Sequence, residues 1–212
     1  MDTRHPATVH ANAAAYNEFA REFAAHSDED RDWVVPLIAA FHRVAPAAGR
    51  ILDLGCANGR EMVDLAAAGL EVAGIDIAVE ALKIGRRRLP RASFIAGDAV
   101  RLPFKAQSFD GVWASASLLH LDPGEASAAV AEIARVLRPS GGLYCSVQRG
   151  DARGFVPGRS VKTPLYYCYW RASDWAELVT DSGLSVVALW ETPWNPSCNE
   201  GADGWINITA MR

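Results

Sequence analysis

No apolar run in these 212 residues reaches the ~18 to 20 needed to cross a bilayer. The start, Met1-Asp2-Thr3-Arg4-His5-Pro6, has no apolar signal core behind it. Neither a membrane span nor a secretory leader is expected, and the reading is of a soluble, cytoplasmic chain. Cysteine is scarce. Cys56, Cys145, Cys168 and Cys198 are too scattered for a C-x-x-C knuckle and too few for a disulfide framework, so free thiols are expected. His and carboxylate residues do not cluster at ligand spacing, so no metal is expected. Positive charge is not in excess. A net charge of −4 argues against a long polyanion as main partner, because such binding rests on Lys and Arg neutralising phosphate. The one basic run, Lys83 with Arg86-Arg87-Arg88 and Arg91, falls near the C-terminus of an expected helix, where the helix dipole favours cations, and reads as a solvated face. Internal repeats and low-complexity tracts are absent as well.

What remains is a chain half of whose residues are apolar, enough for one α/β domain with a substantial core. Its most informative stretch is Ile51-Leu52-Asp53-Leu54-Gly55-Cys56-Ala57-Asn58-Gly59-Arg60, an apolar strand that ends in an acid and breaks into a glycine turn before an amphipathic helix. Gly55 and Gly59 can take positive φ and admit a ligand close to the main chain, and the N–H groups opening the helix from about Arg60 are expected to be free donors. A second strand ends in Gly74-Ile75-Asp76-Ile77, with Asp76 lying 23 residues beyond Asp53. Dinucleotide folds place their ribose-binding carboxylate at this distance, so a ribose-bearing ligand is expected. A dinucleotide fingerprint, G-x-G-x-x-G, uses its glycines to admit a pyrophosphate. Here the turn reads Asp53-x-Gly55-x-Ala57-x-Gly59, and an acid ahead of it repels phosphate but suits an ammonium. A third acid, Asp98, follows Asp76 after 22 residues. Acids recurring at successive strand ends along one rim of a sheet are hard to explain as surface decoration.

These residues resemble the class I S-adenosylmethionine-dependent methyltransferases, whose first motif is D-x-G-x-G-x-G, and the chain looks closest to the small bacterial methyltransferase-domain proteins. The resemblance implies S-adenosyl-L-methionine as cofactor, S-adenosyl-L-homocysteine as product and no metal. It assigns cofactor binding to Asp53, Gly55, Cys56, Ala57 and Gly59 in the first motif, and to Asp76 and Ile77 at the ribose. Gly97, Asp98 and Ala99 fall at the adenine, with Asp98 accepting its amino group, and Ala114 and Ser115 follow the fourth strand. Phe109–Ala114 resembles the family's fourth strand and Leu137–Gly142 the turn before its fifth. Ala57 departs from the pattern, replacing the middle glycine. Its methyl suits negative φ and resists positive φ, so the methionine end of the cofactor is expected to sit slightly differently. Tyr16 matches the aromatic residue that similar enzymes close over the cofactor, with Arg21 near its carboxylate; Tyr16 reads equally as part of a buried stripe with Phe19 and Phe23.

Along the chain, Tyr16, Phe19, Ala20 and Phe23 share helical spacing over about 7–25, and Trp33, Leu37, Ile38 and Phe41 mark a second helix. Helices near 60–68, 79–88, 125–137 and 173–182 alternate with strands near 50–54, 71–76, 93–96, 109–114 and 142–148. That alternation is the pattern of a parallel sheet. The stretches 184–191 and 205–211 read as two strands joined without a helix, an antiparallel edge hairpin that also resembles the family. The expected fold is Rossmann-like, seven mostly parallel strands with helices on both faces. One domain is expected over 1–212, organised as a helical cap (1–48), a cofactor-binding core (49–148), a substrate lid (149–172), and a last helix with the edge hairpin (173–212).

Chemistry belongs at the carboxyl ends of the strands. His120, on the loop after the fourth strand, is a candidate general base, because an unperturbed imidazole titrates near neutrality; the competing reading is that it caps or packs the next helix. In the lid, Tyr166, Tyr167, Tyr169 and Trp170 can line a substrate pocket, with Arg149, Arg153 and Arg159 available for an acidic group. These aromatics can equally cover the sheet edge, and Trp194 and Trp205 pose the same choice. The leading function is methyl transfer to a small-molecule acceptor by a monomer or homodimer. An RNA-base methyltransferase and a non-catalytic cofactor-binding regulator are the alternatives, the first disfavoured by the acidic balance. On this reading Asp76→Ala weakens cofactor binding by roughly 1.5 to 3 kcal/mol, the loss of charge-assisted bonds to two hydroxyls. Calorimetric titration of S-adenosylhomocysteine into both proteins checks it.

Overall fold

The computed structural model describes residues 6–27, 32–157, 161 and 163–212; Arg159 and the first five residues lie outside them. The chain opens with α1 (Pro6–Glu18), α2 (Ala20–Ser27) and α3 (Val34–Phe41). It continues through β1 (Arg50–Leu54), α4 (Arg60–Ala67), β2 (Glu71–Asp76), α5 (Val79–Arg88), β3 (Ser93–Ala96) and β4 (Phe109–Ser115). After a 3-10 turn (Leu118–His120) come α6 (Pro123–Val136), β5 (Leu137–Arg149), β6 (Arg153–Val156) and β7 (Leu165–Cys168). The last elements are α7 (Ala172–Asp181), β8 (Ser185–Pro193) and β9 (Gly204–Met211).

Seven strands form one sheet in the order β3-β2-β1-β4-β5-β9-β8. The first five run parallel, and β9 enters antiparallel between β5 and β8. The chain steps outward from β1 to β3 and then returns across β1 to lay down β4. Strand order therefore reverses between β1 and β4, and a crevice opens at their carboxyl ends. The edge hairpin expected from the sequence is β8 with β9. Two boundaries differ from the expectation. The N-terminal helix is interrupted at Phe19, giving α1 and α2. β5 begins at Leu137, upstream of the expected 142, because Leu137 pairs with Phe109 across an irregularity in β4. Within the lid segment β6 and β7 form a separate antiparallel hairpin, pairing Phe155 with Tyr166.

Alternation along the strands sorts the core into two layers. Leu52, Leu54, Val112, Leu143, Cys145 and Ile208 point to the side covered by α6 and α7. Ile51, Val72, Trp113 and Tyr144 point to the other side, where Phe41 of α3, Met62 and Leu65 of α4 and Leu82 of α5 cover them. The ring of Trp113 lies 4.2 Å from that of Tyr144 and 5.6 Å from that of Phe41, so the centre of this layer is a stack of rings. The basic run on α5 stands away from the crevice, with Lys83 paired to Glu80 at 2.6 Å and Arg86 donating to the Phe94 carbonyl at 2.8 Å.

The turn carrying His120 is pinned by the helix that follows it. Asp122 accepts the Glu125 N–H at 2.9 Å, and the Glu125 carboxylate accepts the Asp122 N–H at 3.0 Å, a reciprocal cap with Pro123 at the first helical position. Asp122→Ala is expected to cost about 1 kcal/mol of stability in urea unfolding. An unchanged midpoint would show that the cap contributes nothing.

Candidate functional site

A cavity of about 1450 Å³ opens over the crevice. Its rim carries Asp53 at the end of β1, Asp76 at the end of β2 and Asp98 after β3, with the turn Gly55–Asn58 between the first two. That turn has a specific construction. Gly55 and Gly59 adopt φ of 79° and 68°, and Ala57 between them adopts 44°. Positive φ at Ala57 corrects the expectation that its methyl keeps it in the negative-φ regions; such a conformation costs an L residue about 1 to 2 kcal/mol. Asp76 offsets that cost. One of its oxygens accepts the Ala57 N–H at 2.8 Å and the other accepts the Ala78 N–H at 2.7 Å. The carboxylate thus clamps the turn to the start of α5 while lying at the cavity.

The main-chain donors of this turn are spent inside the chain. Gly55 and Cys56 both donate to the Ile75 carbonyl at 2.8 and 3.1 Å, and Gly59 donates to the Cys56 carbonyl at 2.8 Å. Arg60 donates to the Asn58 side chain at 3.3 Å. The free donors expected at the helix start are therefore already paired at these positions. The charged side chains the rim adds beside this turn are acids, Asp53, Glu61, Asp76 and Asp98, with Arg60 next to them.

Asp53 is the most telling of them. It is 4% exposed, and its Oδ2 is buried without a hydrogen-bond partner. Burial first, then the nearby Glu61 and Asp76 carboxylates, push its carboxyl well above the usual range, with Arg60 opposing. A buried acid with an oxygen that lacks a hydrogen-bond partner is poised for a cation. The Ser117 hydroxyl, across from Gly55, is likewise buried and unpartnered. The residues present thus fit a ligand with an ammonium group near Asp53. Burial also raises the Asp76 carboxyl, against the lowering effect of its backbone partners. Asp98 accepts the Val100 N–H at 3.0 Å.

Above this rim sits α1. The Asn12 side chain pairs with both main-chain groups of Tyr166 in β7, donating to the carbonyl at 2.9 Å and accepting from the N–H at 2.8 Å. His120 Nδ1 lies 2.9 Å from the same carbonyl and 3.0 Å from Asn12 Nδ2, and its Nε2 lies 3.0 Å from the Tyr16 hydroxyl, so both ring nitrogens are engaged within the chain. The imidazole packs on the ring of Tyr167 at 4.7 Å. It is buried, which lowers its pKa to about 4, and the neutral titration assumed for a general base is thereby corrected. Burial likewise raises the Tyr16 hydroxyl well above its ordinary value. Tyr16 lines the cavity and also packs edge-on against Phe23 at 5.3 Å.

Of the residues singled out in the sequence, Tyr16, Asp53, Gly55, Cys56, Ala57 and Asp76 border the cavity. So do Ile77, Gly97, Asp98, Ala99, Ser115, His120, Tyr167 and Trp205. The others do not. Arg21 is exposed on α2, Gly59 caps α4 behind the turn, and Ala114 is sealed in the core. Tyr166 turns its ring toward Phe155, 5.7 Å away, because alternate residues of β7 face opposite ways. Trp170 stacks on Trp175 at 5.0 Å under the sheet edge. Arg149 is committed to Glu191 at 2.6 Å and to the Asp203 carbonyl at 3.0 Å. Asn12, Glu61 and Ser117 were missed; a lone Asn in an alanine-rich helix gives no local signal of a partner 154 residues away. Among the described residues no group of three or more His, Cys, Asp or Glu is placed to hold a metal, and no helix is long and apolar enough to cross a membrane.

Sheet order, crevice and acid rim define a doubly wound α/β protein with an acid-lined cavity at the carboxyl ends of its parallel strands. Residues 51–141 match the sequence profile of the methyltransferase domain family. An uncharacterized methyltransferase of Synechocystis is 35% identical over 144 residues, which cover 65% of this chain and 68% of that protein. A demethylmenaquinone methyltransferase of Renibacterium salmoninarum is 40% identical over 114 residues, 54% of this chain and 46% of that one. The chain spans about half the length of the demethylmenaquinone methyltransferases it matches. The crystal structure of Burkholderia thailandensis 1,6-didemethyltoxoflavin-N1-methyltransferase, with its acceptor and S-adenosylhomocysteine bound, superposes with a TM-score of 0.70 at 23% identity, covering 97% of this chain and 91% of that one. That likeness concerns the fold. The chain belongs to the class I S-adenosylmethionine-dependent methyltransferases.

The buried acid sets a pH dependence. A carboxyl whose folded pKa is raised stabilises the fold below the ordinary carboxylate range, and that contribution is lost as pH rises through the raised value. A cation at the same place needs the ionised form, so its affinity rises with pH over the same interval. Asp53→Asn is therefore expected to raise the melting temperature of the ligand-free protein at pH 7, to weaken S-adenosylhomocysteine binding about tenfold or more, and to flatten its pH dependence. Calorimetry across pH 4 to 8, with thermal melts at each point, reads all three; a wild-type affinity that does not change with pH would remove Asp53 from ammonium binding.

Proposed function

We propose that the protein transfers a methyl group from S-adenosylmethionine to a small-molecule acceptor by in-line displacement. The observation that carries this is the buried, unpartnered carboxylate oxygen of Asp53 beside a turn whose own donors are spent. In this reading Asp53 holds the ammonium of the cofactor's methionine end, Asp76 the ribose hydroxyls and Asp98 the adenine amino group. Bound there, S-adenosylmethionine supplies a methyl carbon activated by positive sulfur; the carbon–sulfur bond breaks to leave a neutral thioether as the acceptor's lone pair forms the new bond. The protein's part is positioning and exclusion of water, which can contribute ~7 kcal/mol or more. Here α1, latched to β7 by Asn12 and to the 3-10 turn by Tyr16, forms the wall that does so. The names of the Renibacterium and Burkholderia proteins specify small-molecule acceptors, in keeping with this reading.

His120 is a positioning residue in this scheme. Both of its ring nitrogens already have partners within the chain and burial lowers its pKa to about 4, so it orders the α1 wall and does not collect the acceptor's proton. The direct test is turnover: S-adenosylhomocysteine release that rises with a metabolite extract and not with purified tRNA supports the proposal. Absence of heat with both S-adenosylmethionine and S-adenosylhomocysteine would end it. His120→Ala is expected to lower stability by about 1 to 3 kcal/mol, since Asn12, Tyr16 and the Tyr166 carbonyl lose a buried partner, and to weaken cofactor binding with it. If urea unfolding is unchanged while turnover collapses and the limb of a pH–rate profile disappears, His120 is the base instead.

A further inference from the structure

The cavity does not stop at the acid rim. Past Ser117 it runs down one face of β5, β9 and β8, alongside α3. The two parts meet where the Ala116 N–H donates to the Ser146 hydroxyl at 3.0 Å. The composition of this face is unusual. On β5 the residues turned toward α6 and α7, Leu143, Cys145 and Val147, are apolar as a sheet interior should be, whereas those turned the other way are Tyr144, Ser146 and Gln148. On β9 the same division sets Ile206, Ile208 and Ala210 against Asn207 and Thr209. Register places Asn207 beside Ser146 on one side and Trp190 on the other. These polar side chains are as buried as the apolar ones, Gln148 at 0% exposure and Asn207 at 4%. Part of that capacity is used within the chain, where Gln148 Oε1 accepts the Asn199 N–H at 3.3 Å and its side-chain amide at 3.1 Å, so these polar side chains are held in place along the cavity wall.

Three properties of the face limit what it can bind. Its strands supply no charge: the residues it draws from β5, β8 and β9 include no acid, lysine, arginine or histidine, and the nearest charges, Glu61 and Arg43, belong to the opposite wall of the cavity. It offers donors and acceptors together. Tyr144 donates to Asn207 Oδ1 at 2.9 Å and Asn207 Nδ2 donates to the Thr192 hydroxyl at 3.2 Å, which leaves the amide one further N–H and one further lone pair. It is also bordered by flat rings, Trp190 and Trp205. A saturated or polyprenyl chain gains nothing from such a surface, while a flat ring bearing its own donor and acceptor satisfies all three.

We propose that this face is the acceptor subsite, and that the acceptor is an uncharged planar ring carrying adjacent hydrogen-bond donor and acceptor groups, held by the Asn207 amide and stacked on Trp190. The inference rests on the methyl-transfer reading for the word acceptor, but the binding face can be tested apart from it. The probe is 2-quinolone, a flat neutral ring with an N–H next to a carbonyl, titrated by ligand-observed NMR into protein saturated with S-adenosylhomocysteine. Naphthalene, of the same shape without the polar groups, and 2-naphthoate, which adds a charge, serve as comparisons. 2-Quinolone is expected to bind at least tenfold more tightly than either, and to lose at least tenfold on Asn207→Leu and on Trp190→Ala while S-adenosylhomocysteine affinity stays within twofold. Trp190 is half-buried on an edge strand, so Trp190→Ala carries the test if Asn207→Leu fails to fold. Absence of 2-quinolone binding, equal or tighter binding of naphthalene or 2-naphthoate, or full affinity in a folded variant overturns the proposal. If S-adenosylhomocysteine gives no heat while 2-quinolone follows the expected pattern without it, the cofactor reading falls and the polar face stands as a binding site.

Discussion

The clamp made by Asp76 is the constraint on which the site depends. One carboxylate at the end of β2 accepts from Ala57 across the turn and from Ala78 at the head of α5. It thereby holds an alanine at a φ of 44° that the residue would not choose. Two consequences follow from the same bonds. The turn is fixed in a shape that brings Asp53 and Ser117 to the cavity wall, and the carboxylate itself is fixed with lone pairs remaining for a ligand's hydroxyls. In the proposed reading binding and folding share one group, so that a change at Asp76 acts on both.

Much of this was legible because it is local. An apolar run ending in an acid, a glycine turn and an amphipathic helix occupy ten consecutive residues, and each part has one physical meaning. The acids at the ends of β1 and β2, and the one just after β3, repeat because parallel strands must each be followed by a return helix of similar length. The strand-order reversal that opens the crevice follows from the family resemblance and from the alternation of elements. The terminal hairpin was legible for the opposite reason, two strand patterns with no helix between them.

What was hidden depends on register between distant segments. Asn12 meets Tyr166 and Tyr16 meets His120 only because α1 lies across the ends of the strands, and no periodicity in an alanine-rich helix announces that placement. The pKa of His120 follows from burial, which the loop sequence Ser115–His120 does not display. Ala57 was misjudged because the penalty of positive φ was weighed without the bond that compensates it. The lid aromatics were legible as a group but not one by one: alternation along β7 sends Tyr167 to the cavity and Tyr166 away from it, and a shift of one residue would exchange them.

The polar face of β5 and β9 shows why composition alone conceals a site of this kind. Read as a string, Tyr144–Gln148 and Trp205–Met211 are ordinary half-polar strands, the pattern of a sheet with one side in water. Here the polar side is buried instead, so the alternation that normally separates core from solvent separates core from cavity. The division also sorts electrostatics. Acids gather at the ends of β1 and β2 and just after β3, where a cationic ligand compensates them, and β5, β8 and β9 present only neutral groups to the same space. A cation and a neutral ring placed side by side along such a wall do not compete: the acids gain nothing from the ring, and the amide and hydroxyl groups cannot replace a carboxylate for the cation. In the proposed arrangement the sheet itself sets the order along the cavity, with the charged partner over the parallel strands and the neutral one over the antiparallel edge.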